Sequence, residues 1–567
     1  MVLGSIDKIE SSLVDFVEKL TDEYIQNSDL RERKSKRQFF TPPQVGIFMA
    51  NMFTISKSDI HLLDPGAGTG MLSAAFCCRI LNLDRPVSLS IDAFENDPKL
   101  IPVLDTVFGN CKSELEKKGH TLVYNITQKD FILNRVSLLK QKSLFEDSRS
   151  PRYDFIISNP PYYKLNKSSL QSQLMDEFTS GQPNIYAFFM ALSLEMLKPG
   201  GQMVFITPRS FCSGLYFKKF RKWLLQHSRI TNLHIFESRS SVFDKNEVLQ
   251  ENIIIKIARN DNTEHTEHTQ HTEQPKEVVV STSKDKCFHS LEEIRIDYED
   301  VLQRRNGDIF IKIPAKETDL RVQHIVNSWD HTLKDLGMKV STGPVVSFRA
   351  KTYLSPEFID KRTTSPLLWM HNIQGMDVIW PLIKKKKEMA IKIEERTRPL
   401  LVPAGNYVLI KRFSSKEQKR RLYAGVLLKS EFDFEKIGIE NHLNYLYKCD
   451  GMLSVEEAYG IAGILNSSLM DIFFRMINGN TQVNAVDILN LPLPSIELVR
   501  EIGRLIKRDK PPIGRELDMA VAEVLGIDGN LAEIVNGKAQ EHDRTLPEVV
   551  TAYQITKKIE RYWEKGI

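Results

Sequence analysis

The chain has 567 residues, 41% of them apolar and 26% charged, with a formal net charge of +4. That length exceeds one core and implies about two to four domains, and a nucleic-acid partner would need positive charge gathered locally. The six cysteines, Cys77, Cys78, Cys111, Cys212, Cys287 and Cys449, show no CxxC or other metal spacing. Several lie in apolar stretches, as reduced buried thiols do, so a cytoplasmic location and no metal are expected. No apolar run approaches the ~18–20 residues of a membrane span, and the acidic, amphipathic start does not read as a signal peptide.

Taken in chain order, Leu13, Phe16, Val17, Leu20 and Tyr24 stand at helical spacing and predict a helix over 11–27. A basic run, Arg31 to Arg37, leads into Gln38-Phe39-Phe40-Thr41-Pro42-Pro43. From residue 61 to about 258, short β-branched runs alternate with helical patterns, the signature of a parallel sheet. The expected strands are His61–Asp64, Ser90–Glu95, Tyr153–Ser158, Met203–Thr207, Leu233–Phe236 and Ile253–Ile257. Residues 259–275 are polar and of low complexity, so 259–286 is expected to be a linker or surface loop. Its evenly spaced His265, His268 and His271 fit a repeat-expanded linker better than a metal site. Residues 287–500 form a second, aromatic and basic region, and 501–567 read as short helices broken at Pro511-Pro512.

The first expected strand ends in Asp64-Pro65-Gly66-Ala67-Gly68-Thr69-Gly70, with glycines that permit a tight turn and close backbone approach to a ligand. Met71 stands where a dinucleotide fingerprint would want its third glycine. Asp64 would repel phosphate and suits a ligand carrying an ammonium group. Glu95, at the end of the second strand, is placed to accept both hydroxyls of a ribose. Asp130 and Phe131 could bond an adenine amine and pack on its ring. An amino-acid end, a ribose and an adenine without phosphate together describe S-adenosylmethionine.

The strand Tyr153–Ser158 runs into Asn159-Pro160-Pro161-Tyr162. The prolines fix φ and bias the residues before them away from helix. The Asn159 amide and a backbone carbonyl can then accept the two N–H bonds of a planar amine, with Tyr162 beside its ring. Alone, the tetrapeptide also reads as an ordinary Pro-rich turn. Its place after the Gly-rich loop and the two acids argues for the site.

These stretches, QFFTPPQV, LLDPGAGTG, DAFEND, KDF, SNPPYYKL, the run from Asn184 to Phe211 and SSVFDKNEV, resemble the gamma class of DNA N6-adenine methyltransferases of type II restriction–modification systems. Residues 411–424, 440–447 and 478–494 more loosely resemble their target-recognition regions. The resemblance implies an α/β fold: a Rossmann-like S-adenosylmethionine-dependent methyltransferase domain over 1–258, then a mixed α/β target-recognition domain over 287–500. It implies that Thr41 and Asp64 contact the methionine part of the cofactor, with Gly66 and Gly68 in its loop. Glu95 would hold the ribose, and Asp130, Phe131 and Phe189 the adenine. Asn159 and the Pro160 carbonyl would hold the target amine, with Tyr162 and Phe243 on the two faces of the flipped base. Tyr163 is assigned to packing. Arg31–Arg37, Lys218–Lys222, Lys384–Lys387 and Lys411–Arg421 are candidate phosphate contacts, Lys411 and Arg412 foremost. The implied partners are double-stranded DNA and, genetically rather than physically, a cognate restriction endonuclease, with the protein a monomer. NPPY also occurs in enzymes that methylate RNA or a protein glutamine amide, which usually carry smaller accessory domains. A non-catalytic module would be expected to lack Asn159 or the glycine loop. A nuclease PD…ExK arrangement is not evident.

Overall fold

The computed structural model describes residues 12–29, 31, 38–141, 152–178, 181–237, 251–260, 276–288, 290–305, 307–384, 387–414 and 418–527. The chain divides into two compact units, Met1–Ala315 and Lys316–Ile567.

The first unit is built on one nine-stranded sheet. Its strands are β1 (Asp59–Asp64), β2 (Ser88–Phe94), β3 (Thr121–Thr127), β4 (Tyr153–Ser158), β5 (Leu197–Pro208), β6 (Ser228–Phe236), β7 (Asn252–Arg259), β8 (Glu277–Ser283) and β9 (Glu292–Asp297). The order is β3-β2-β1-β4-β5-β7-β6-β8-β9, with β1 to β5 mutually parallel and β7 antiparallel to both neighbours. The order reverses between β1 and β4, the topological switch point where open α/β sheets bind ligands. The antiparallel β7 between β5 and β6 separates this sheet from the dinucleotide order, which runs 3-2-1-4-5-6.

Helices α1 (Ser12–Asn27), α2 (Pro43–Asn51), α3 (Met71–Leu81) and α4 (Ile101–Lys117) pack against one another. A second group comprises α5 (Phe131–Gln141), α6 (Leu170–Leu174), α7 (Ile185–Met196) and α8 (Lys218–His227). With helices covering it, β4 is buried at every residue and therefore reads as an unbroken apolar run. β3 has no such signal and is absent from the expected strands. It is one of the two edge strands, and Val123 on it is 69% exposed.

The first unit continues past the expected boundary at 258 because β8 pairs in parallel with β6, and β9 closes the sheet. The span expected as a linker over 259–286 thus contains a strand whose Val278 and Val280 are fully buried. The three linker histidines lie outside the described residues. A hairpin, Leu302–Arg305 with Asp308–Ile311, ends the unit. Arg221 of α8 holds it: the guanidinium is fully buried, pairs with Asp308 at 3.0 Å and donates to the Ile309 carbonyl at 2.6 Å. Arg221 is therefore a structural anchor rather than the phosphate contact expected of the KKFRK run.

The second unit contains a six-stranded and a five-stranded sheet with helices Val455–Asn466, Ser468–Ile477, Ile496–Ile506 and Arg515–Val524. Its main core joins Val408, Ile410 and Leu446 of the larger sheet to Ile461, Phe473, Phe474 and Ile502 of the helices. Among the described residues no single helix is long and apolar enough to cross a membrane. Arg421 is buried beside this core and donates to the carbonyls of Asn478 and Asn480 and to Ser414 Oγ. Like Arg221, it ties loops together, which removes it from the expected phosphate contacts.

Candidate active site

Leu63 of β1 pairs with Ile156 of β4, so Asp64-Pro65-Gly66 and Asn159-Pro160 leave the sheet side by side. The glycine loop turns directly into α3 at Gly70, which has φ 88°. A Cβ there would stand 2.9 Å from Leu104 Cδ1, so both backbone and space require glycine.

Asp64 is fully buried. Ser73 Oγ donates to its Oδ2 at 2.8 Å, but no described donor meets Oδ1 in hydrogen-bond geometry. Burial pushes the carboxyl from its ordinary 3.8 up to about 7, and the Ser73 and Gly66 donors only partly offset that. A buried acceptor with a free valence at a ligand edge is the complement of a cationic donor. That is the feature the ammonium of S-adenosylmethionine requires.

Glu95 stands one residue past β2. Its Oε2 accepts from the Gly68 N–H at 2.8 Å and its Oε1 from the Asp97 N–H at 2.7 Å. Burial raises its pKa, and these backbone donors work against the rise. The Asn96 N–H is a third backbone donor to it, and a carboxylate with about four lone-pair directions keeps acceptor capacity for a ribose hydroxyl. Asp130 caps α5, with Oδ1 accepting from the Leu133 N–H at 2.8 Å, while Gln171 Nε2 donates to Oδ2 at 3.3 Å. Phe131 and Phe189 lie 5.1 Å apart by ring centroid, and a Cβ on Gly66 would come within 3.6 Å of Phe189. The side chains expected at the ammonium, ribose and adenine thus fall along one sheet edge, and their chemistry fits the cofactor.

α1 braces this edge. Thr21 Oγ1 donates to Thr69 Oγ1 of the glycine loop at 2.8 Å. Gln38 Nε2 donates to Asp97 at 2.7 Å, and Tyr24 OH donates to the same carboxylate at 3.3 Å. Asp97 and Gln38 were absent from the sequence-predicted set, although both sit inside the quoted motifs DAFEND and QFFTPP.

Thr41, expected at the methionine part of the cofactor, is buried and meets Asn159. Its Oγ1 accepts from Asn159 Nδ2 at 3.0 Å, and the Phe39 carbonyl accepts from the same nitrogen at 3.2 Å. Tyr162 is mostly buried, its hydroxyl 2.6 Å from Asn159 Oδ1 and 2.8 Å from the Ile206 carbonyl. Pro160 is buried beside it. Phe243 lies outside the described residues.

Lys411 and Arg412 sit in the second unit, where strand Tyr407–Lys411 ends. Lys411 Nζ lies 5.0 Å from the Tyr423 ring centroid, and Lys387 Nζ lies 4.3 Å from that of Trp369. His371 is driven down to about 4, first by burial and then by the positive charges of Lys384, Lys387 and Lys411. Arg412 Nη1 donates to the Asn441 carbonyl at 3.1 Å.

The Eco57I restriction-modification methylase family matches residues 78–243. The type II methyltransferase M.BsuBI of Bacillus subtilis is 34% identical over 502 residues, covering 88% of this chain and 96% of the relative. M.PstI of Providencia stuartii is 34% identical over 484 residues, with 85% and 91% covered. Among solved structures, the DrdV–DNA complex has a TM-score of 0.46 at 12% identity, covering 89% of this chain and 60% of that one. On the identity and near-full coverage of the type II relatives, the chain belongs to the S-adenosylmethionine-dependent DNA methyltransferases of type II restriction–modification systems, in the gamma-class arrangement that its motifs resemble.

Proposed function

We infer that this enzyme methylates the N6 amine of an adenine flipped out of a specific duplex DNA sequence. The methylation protects that sequence from a cognate restriction endonuclease, which is a genetic rather than a physical partner. The observation that carries the reading is the Asn159 amide. Its Nδ2 is engaged by two acceptors, and Oδ1, which takes the Tyr162 hydroxyl at 2.6 Å, has a second lone pair for an incoming amine. The adenine amine is a weak nucleophile because its lone pair is delocalised into the ring. Asn159 Oδ1 and the Pro160 carbonyl, accepting its two N–H bonds, favour a tetrahedral nitrogen and aim the lone pair. No general base is then needed before the transfer. The nitrogen forms the new N–C bond as the methyl's bond to sulfur breaks to leave a neutral thioether. The cationic nitrogen then gives its surplus proton to water, so the site acts by positioning and electrostatics. When bound, S-adenosylmethionine supplies the electrophilic sulfonium methyl. Asp64 and Glu95 hold its amino-acid and ribose ends, and Phe131, Phe189 and Asp130 its adenine.

A base inside a duplex is out of reach of this pocket, so it must be extruded at a few kcal/mol. Stacking on Tyr162 and Phe243, at roughly 1–3 kcal/mol each, offsets that cost. Target recognition belongs to the second region, expected over 287–500, where Lys411 and Arg412 with Lys384 and Lys387 would contact phosphates. The enzyme acts as a monomer on cytoplasmic DNA. Nucleoside mass spectrometry of DNA modified by the pure enzyme is the test. N6-methyldeoxyadenosine is expected, and N4- or C5-methyldeoxycytidine would overturn the reading.

A further inference from the structure

Asn159 has a side chain that is useful in only one of its two amide orientations. Turned by 180° about its last torsion, it would present two N–H donors to the target amine, which itself needs acceptors. What decides between the orientations is the set of fixed groups around the amide. Phe39 offers a backbone carbonyl, which only accepts, 3.2 Å from Nδ2. Thr41 Oγ1 takes the other bond of Nδ2 at 3.0 Å. These two acceptors come from one extended segment that Pro42, at φ −63° and ψ 147°, stiffens before α2 begins. In the turned orientation Oδ1 would face the Phe39 carbonyl, acceptor against acceptor.

On the opposite side, the Tyr162 hydroxyl lies 2.6 Å from Oδ1 and 2.8 Å from the Ile206 carbonyl. Its one proton serves one acceptor at a time. In the observed orientation the hydroxyl donates to Oδ1, and the Ile206 carbonyl remains as its alternative acceptor once a target amine is in place.

We propose that Thr41 is a positioning residue for methyl transfer. The Phe39 carbonyl sets which way the Asn159 amide faces. Thr41 Oγ1, accepting from the same nitrogen, holds that side chain in place toward the target, so its own contribution is to Asn159 rather than to the cofactor. This rests on the reading of Asn159 as the group that accepts from the target amine. It also gives the QFFTPP segment a role in the transfer step, 118 residues before the catalytic asparagine.

The test compares Thr41→Val, Thr41→Ser and Asn159→Ala in the full chain. Single-turnover methyl transfer is followed at saturating DNA and cofactor, and S-adenosylmethionine affinity is followed by calorimetry. Thr41→Val should slow the transfer step about tenfold, the equivalent of one lost hydrogen bond of about 1.4 kcal/mol. Cofactor affinity should stay within about twofold, and Thr41→Ser should restore the rate. Thr41→Ala removes the acceptor without adding bulk and gives the same readout should the valine variant misfold. If Asn159→Ala is inactive while Thr41→Val transfers at the normal rate, the positioning role is wrong and the Asn159 reading stands. A loss in Thr41→Val carried wholly by weaker cofactor binding overturns the proposal in the same way. An active Asn159→Ala overturns both.

Discussion

Asp64 ends β1 and Asp154 stands near the start of the adjacent β4, so the two carboxylates mark opposite edges of one parallel sheet. Both are buried, at 0% and 3% exposure. Asp154 is fully partnered: Lys57 at 2.8 Å, Lys198 at 2.7 Å and the His61 N–H at 3.1 Å. Burial alone would raise its pKa, but Lys198, Lys57 and that N–H outweigh burial and hold it below the ordinary carboxylate value. Asp64 has no cationic partner, only the Ser73 hydroxyl and the Gly66 N–H to offset burial, and an oxygen that no described donor meets in hydrogen-bond geometry, so burial carries it to about 7. The same residue type is thus a fastener at one edge and an unsatisfied acceptor at the other. An unsatisfied buried acceptor costs stability in the free protein, and that cost is what a cationic ligand relieves.

The largest expected effect uses the two ends of β4. Asn159→Ala should lower methyl transfer by about 100–1,000-fold, the scale of losing one preorganised hydrogen-bonding group. It should leave the thermal midpoint nearly unchanged. Asp154→Asn should leave the chemistry nearly intact. Tritiated methyl incorporation and a thermal melt on each variant check both, and a slow Asp154→Asn enzyme of normal stability would break the contrast.

Stability should divide the two acids next. Asp154→Asn leaves Lys198 without its partner and should cost about 1–3 kcal/mol, discounted because Lys57 is 59% exposed. Asp64→Asn should not lower stability at pH 8, since it removes a charge that the fold desolvates without full compensation. Chemical denaturation of the two variants reads the difference directly.

Their pH dependences have opposite signs. Asp64 has a raised folded pKa, so its contribution to stability is present in acid and is lost as pH rises from 3.8 through about 7. Asp154 has a lowered one, so its contribution is present above the ordinary 3.8 and is lost as pH falls below it. A cation binds the ionised Asp64. S-adenosylmethionine affinity should therefore rise with pH by up to about tenfold per unit below 7 and level off above. Titration calorimetry from pH 5.5 to 8.5 tests this, and Asp64→Asn should flatten the profile.

The smallest expected effect lies in the second unit. Lys411→Ala should weaken DNA binding for all sequences alike and reduce the salt slope by about one. Sequence-selective loss would make Lys411 a base reader instead.

How much of this was legible in the sequence follows from which interactions are local. β4 and its Asn-Pro-Pro-Tyr corner were, because a doubly covered parallel strand is an apolar run and prolines fix the turn after it. The glycine loop was, since positive φ at Gly70 needs glycine. β3 was not, because an edge strand leaves residues such as Val123 exposed and breaks the run. Nor was β8, whose buried valines follow a polar, repetitive stretch that hides them. Arg221 and Arg421 look in sequence like any surface cation. Only the fold shows the backbone carbonyls that claim them. The Thr41–Asn159 bond joins residues far apart in the chain, and no spacing rule reports it. The unmet oxygen of Asp64 is likewise a property of packing.

Calorimetry of S-adenosylmethionine binding to Asp64→Asn and Asp154→Asn, side by side at pH 8, tests most directly whether the two edges differ as described. The expected result is a loss of about tenfold or more for Asp64→Asn, from one charge-assisted contact of about 1.5–3 kcal/mol. Asp154→Asn should stay within about twofold of the unaltered enzyme. Equal losses in both variants, or a larger one in Asp154→Asn, would contradict the assignment of Asp64 as the residue that meets the cofactor.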